Sequence, residues 1–162
     1  PVSLVTVGEV RLEAALVSPI ARLQSALNLV SLPLQMRSTL PSSGNVLILG
    51  TYAGAREALK ANLRAFGVSA DDEKQVLEIR GLGSLSASDS GLLLFSETQA
   101  SKTLILLAPN KEMLPELVNL VASGDLSACV VQDSIGVCSL EPVSAADADY
   151  NAEETPTPEP EG

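Results

Sequence analysis

Four consecutive large aliphatic residues, Val46 to Leu49, stand between the turn-forming run "PSSG" and a glycine, Gly50. This short run constrains the fold more than any other feature of the chain. It is too short to be a buried helix, and its lack of polar alternation marks a strand covered on both faces. Strands of that kind sit in mostly parallel sheets flanked by helices, so the run implies an α/β domain. The next segment agrees. From Gly54 to Phe66, "GAREALKANLRAF" places Ala55, Ala58, Leu59, Leu63 and Phe66 at helical spacing, with Gly67 as the residue that ends the helix.

The rest of the chain supplies further strands and helices. Leu4, Val5 and Val7 alternate as either a short strand or the lead into a helix. Val10, Leu12, Ala15, Leu16, Ile20, Leu23, Leu27 and Val30 then form a helical stripe, with a kink or a new start expected at Pro19. "SLPLQMRS" reads as an edge strand, because Pro33 cannot donate to a central ladder. "DDEKQVLEIRGLGSLSASDS" is polar and rich in glycine and serine. It is expected to be a long surface loop containing at most one strand or helical turn.

"GLLLFSE" and "KTLILLAPN" suit adjacent antiparallel strands joined by a hairpin. "NKEMLPELVNLVASG" follows as a helix with Asn110 as its N-cap. Met113, Leu114, Leu117, Leu120 and Val121 face the sheet, Pro115 falls in the first turns and Gly124 ends the helix. The segment "LSACVVQDSIGVCSL" closes as a terminal hairpin.

A buried strand, a glycine turn and a helix is also the outline of a phosphate-binding turn, which makes Gly50, Thr51, Tyr52 and Gly54 candidates for an anion or ligand site. The detailed patterns are missing. A dinucleotide fold needs G-x-G-x-x-G and a P-loop needs G-x-x-x-x-G-K-[ST], whereas this turn reads Gly-Thr-Tyr-Ala-Gly. A structural turn is the expectation, with a small-molecule crevice outside the ends of strands 46–49 and 103–107 as the alternative.

Composition narrows the chemistry. The chain has no histidine, which excludes Ser-His-Asp and Cys-His catalysis and any zinc site built on imidazole. Asp71 with Asp72, and Asp125 with Asp133, are the remaining carboxylate pairs, and acids in polar loops are ordinarily just solvated. No catalytic residue, metal or cofactor is expected. A net charge of −10 disfavours nucleic acid, and only four aromatic residues are present to stack on bases or sugars.

With Pro1 in first place, the chain reads as a single α/β domain, residues 1–142, cut from a larger protein. Residues 143–162 form an acidic Pro/Thr/Glu-rich tail or linker that is expected to be poorly ordered. Cys129 and Cys138 are nine residues apart. If Asp133 and Ser134 centre the hairpin, the two cysteines face each other across it. They are then either a disulfide, favoured outside the cytoplasm, or two small buried thiols, favoured inside it.

In the order "NVLILGTYAGAREAL", "SGLLLF", "KTLILLAPNKEMLPELVNLV" and "SGDLSACVVQDSIGVCSL", the stretch from about Asn45 to Leu140 resembles the flavodoxin-like domains of the bacterial cellulose synthase regulatory subunits. This is the periplasmic, cyclic di-GMP regulatory subunit family. The resemblance implies a three-layer flavodoxin-like sandwich with a mostly parallel sheet and a C-terminal hairpin. It also implies a non-catalytic, flavin-free domain of a membrane-anchored accessory subunit in exopolysaccharide synthesis. The implied partners are neighbouring domains of the same polypeptide, the glycosyltransferase catalytic subunit and the glucan polymer. Members of this family also carry β-sandwich domains and a membrane anchor, neither of which is evident in this sequence.

Overall fold

The computed structural model describes residues 1–27, 33–71 and 73–140. Val30, Asp72 and the acidic tail at 143–162 lie outside the described residues. The chain opens with a strand, β1 (Val2–Val7), so the alternation at its start belongs to a sheet. It continues through α1 (Ala14–Ala26), the edge strand β2 (Leu34–Arg37) and β3 (Gly44–Thr51). β1 pairs in parallel with both β2 and β3.

A single helical element, α1, runs through Pro19 and does not restart there. Pro19 itself is buried on the same face as Leu16, Ile20 and Leu23, so the ring contributes packing where its nitrogen contributes no hydrogen bond. Val10 and Leu12 precede the helix; Val10 is buried and Leu12 is exposed.

Past β3 come two short helices where the sequence predicts one: α2 (Tyr52–Ala58) and α3 (Lys60–Phe66). The interruption is Leu59, whose backbone leaves helical geometry at φ −120° and ψ 27°. Helical hydrogen bonds nevertheless continue across it, from the Leu59 amide to the Ala55 carbonyl and from the Leu63 amide to the Leu59 carbonyl. The deviation thus occurs at a fully buried side chain and leaves Ala55, Leu59 and Leu63 in one core. Gly67 ends α3 in the left-handed conformation, φ 73°.

The segment expected to be a surface loop with one strand or helical turn in it carries two strands, β5 (Val76–Ile79) at "VLEI" and β6 (Gly83–Ser86), and with β4 (Val68–Asp71), which leads into it, they form a second, antiparallel sheet. Its turns supply the reason. The Asp71 carboxylate accepts from the Glu73 and Lys74 amides, and Gln75 takes a positive φ of 52°, which brings "VLEI" back antiparallel to β4. Val68, Leu77 and Ile79 then bury against Leu59 and Leu63, and this burial offsets the cost of ordering so polar a segment.

The long hairpin β7 (Ser90–Glu97) and β8 (Ser101–Ala108) joins the main sheet through β8, which is parallel to β3. α4 (Leu114–Ser123) follows a turn in which the Asn110 side chain accepts from the Met113 amide at 3.0 Å. Asn110 therefore caps the turn leading into the helix and not the helix itself, while Pro115 sits within its first two positions. β9 (Cys129–Gln132) and β10 (Ile135–Ser139) close the chain as a hairpin. Cys129 pairs with Cys138 in its register, and the two are joined by a disulfide.

The main sheet runs β2-β1-β3-β8-β7-β10-β9. Its first four strands are mutually parallel, and the last three alternate in direction. Each face carries a core. Leu47, Leu49 and Leu106 pack with Leu16, Ile20 and Leu23 of α1 and with Leu114, Leu117 and Val118 of α4. Val46, Ile48, Ile105 and Leu107 point the other way, into Ala55, Leu59, Leu63 and the small sheet.

Candidate functional site

After β1 the chain leaves through α1 towards β2, and after β3 it leaves in the opposite direction, towards β8 and β7. The order therefore reverses between β1 and β3, and the crevice beyond such a reversal is where open α/β sheets bind their ligands. A cleft of about 540 Å³ lies there. Gly8 and Glu9 line it after β1, Thr51, Gly54 and Glu57 after β3, and Asn110 to Glu112 after β8.

The glycines of this turn are occupied by packing. A Cβ on Gly54 would lie 2.3 Å from both the Cα and the nitrogen of Gly8, so the two backbones touch where other folds admit a phosphate. A Cβ on Gly50 would lie 2.1 Å from Val7 Cγ2, which places Gly50 against β1 and outside the cleft. Gly8 itself has φ 84°, a conformation that favours glycine.

Tyr52 does not line the cleft. Its ring is buried in the core on the α2 face, and its hydroxyl donates to the Ser90 carbonyl. Burial holds that phenol protonated well above its ordinary range. Of the four predicted turn residues, the structure brings Thr51 and Gly54 to the cleft and turns Gly50 and Tyr52 away from it.

The polar groups at the cleft are largely engaged or acidic. Thr51 Oγ1 accepts from the Gly54 amide at 3.2 Å, capping α2, and the Asn110 side chain is taken by Met113. Glu9, Glu57 and Glu112 stand against one cation, Lys111, so the local field opposes a phosphate. No buried side-chain nitrogen or oxygen among the described residues lacks a hydrogen-bond partner. Among those residues there is also no grouping of acids and cysteines suited to a metal.

Asp125 and Asp133 lie beyond opposite ends of β9. Asp71 forms its turn, and Asp72 lies outside the described residues. Asp125 precedes β9, where hydrogen bonds from Ser127 hold its carboxyl below the usual range, whereas Asp133 sits at the hairpin turn beyond the far end of β9. Sequence reasoning missed Gly8, Glu9 and the residues after β8. The available signal was Gly8, which ends the alternation of β1 just as Gly50 falls at the end of the apolar run of β3. No protein-family model matches the chain, and no curated protein is significantly similar to it.

Proposed function

We propose that this is a non-catalytic, extracytoplasmic domain of flavodoxin-like architecture, belonging to a membrane-anchored accessory subunit of a cellulose or related exopolysaccharide synthase. The contact of Gly54 on Gly8 carries this reading. The turn that holds a cofactor phosphate in related architectures is here filled by the protein's own backbone. The Cys129–Cys138 disulfide supports a location in an oxidising compartment. In this role the sheet and its two helical layers act as a rigid wafer. They hold neighbouring domains and the glycosyltransferase subunit in register with the emerging glucan.

The test is to co-express the full-length gene with the glycosyltransferase gene beside it and to purify through a tag on the former. Retention of the glycosyltransferase, with the accessory protein exposed to periplasmic protease, is the expected outcome. A cytoplasmic product that retains no glycosyltransferase overturns the reading.

A second reading, a small-molecule-binding domain, is favoured by the position of the cleft beyond β1 and β3. A ligand at one hundred times its Kd would raise stability by about 2.7 kcal/mol. A thermal-shift series with flavin and adenine nucleotides at saturating concentration tests this, and flat curves throughout remove it.

A further inference from the structure

A second groove, of about 350 Å³, is lined by residues of α2, α3 and β4 and by Arg80. Arg56, Lys60, Arg64 and Arg80 line it, four of the ten cations in a chain of net charge −10, and no carboxylate does. Leu63, Val68 and Ala70 supply an apolar floor. Among the described residues, Lys60, Arg64 and Arg80 enter no ion pair. Arg56 also borders the acidic side of β4, near Asp71 and Glu78.

The groove has a second property. β4 is an edge strand of the small sheet and pairs only with β5. The Arg80 amide donates to the Gly67 carbonyl, and with Ser69 opposite Glu78 the antiparallel alternation makes Ser69 the next residue bonded to β5. Val68 and Ala70 therefore turn their amides and carbonyls away from β5, to the strand's free edge. β4, the apolar floor and the four cations thus border one groove.

We propose that this groove docks an extended acidic segment of a polypeptide. The segment adds to the free edge of β4 through main-chain hydrogen bonds and sets its carboxylates on Lys60, Arg64 and Arg80. A compact phosphate would use the cations alone; the strand edge and the floor favour a peptide. The inference is independent of the scaffolding role above, since it requires only the groove's own chemistry.

The experiment titrates the full chain with an acetylated, amidated hexapeptide of alternating valine and glutamate, followed by amide NMR. The expected result is perturbation centred on Val68 and Ala70, weakened by added salt. The K60Q/R64Q double variant, both positions being exposed, should lower affinity at least about ten-fold. Ala70→Pro, which removes a donor from the free edge and none from the β5 ladder, should abolish binding. If the proline variant does not fold, the charge variant still decides the matter.

Equal binding of a valine–lysine peptide, or an affinity unchanged in K60Q/R64Q, overturns the proposal. So does inorganic phosphate perturbing these amides when the acidic peptide does not.

Discussion

The glycines of the β3–α2 turn differ from one another in what surrounds them, and single substitutions separate their roles. Gly54→Ala forces a methyl into the Gly8 backbone, which cannot rotate away as a flexible side chain could. We expect a loss of roughly 1–3 kcal/mol, the range for overpacking a tight contact, read as a lower urea midpoint. Gly136→Ala is the control. Its nearest neighbours would be at 3.5 Å or beyond, ordinary contact distances, so its unfolding free energy should change by less than about 1 kcal/mol. If both substitutions cost the same, the Gly54–Gly8 contact is not what the turn depends on. Tyr52 tests burial by pH. Its folded-state pKa is raised, so its contribution is intact below the unfolded value of about 10. Above that, the unfolded chain releases a proton that the folded one keeps, and stability falls by up to about 1.4 kcal/mol per pH unit. Tyr52→Phe should lose about 1 kcal/mol at neutral pH with its hydrogen bond to Ser90 and show a shallower decline above pH ~10, measured by urea unfolding across pH.

At the scale of elements, the outcome depended on how each segment's signal is carried. Strands β3, β7 and β8 and the terminal hairpin were legible because continuous apolar runs and turn residues are local in sequence. Apart from "VLEI", the small sheet was not legible. Its strands have four residues each, and what orders them is burial of Leu77 and Ile79 against Leu59 and Leu63. Leu77→Ala should therefore cost about 2–5 kcal/mol, as for a core leucine; a cost below ~1 kcal/mol would restore the segment to a surface loop. The helix break at Leu59 was hidden for a related reason, since its side chain keeps helical spacing while its backbone does not. The terminal hairpin carries its own test. Cys129 and Cys138 enclose a loop of nine residues' separation, and removing both sulfurs should cost about 2–3 kcal/mol. Reductant should lower the unfolding midpoint of the unmodified chain and leave that of the double alanine variant unchanged.

Over the whole molecule, stability should be graded across the main sheet. β1, β3, β8, β7 and β10 form its interior and carry both cores, whereas β2 and β9 are edges with mostly exposed side chains. Hydrogen exchange should be slowest in β3 and β8 and fastest in β2 and β9; uniform protection would contradict this gradient. The grouping of the cleft residues belongs to the same scale, because it depends on strand order. Thr51 and Gly54 were visible as a turn, but Gly8 and Asn110 join them only because β1 and β8 flank β3. The α/β class, the position of the buried strand, the hairpin that sets Cys129 against Cys138 and the exclusion of histidine chemistry could all be read along the chain. Each of these follows from composition or from periodicity within a few residues. It took the packed chain to set Gly54 on Gly8, to turn Tyr52 inward, to join β4, β5 and β6 as a sheet and to bring four cations to one groove. Those outcomes depend on contacts between segments far apart in the chain, where local pattern carries no information and burial and backbone packing select the arrangement.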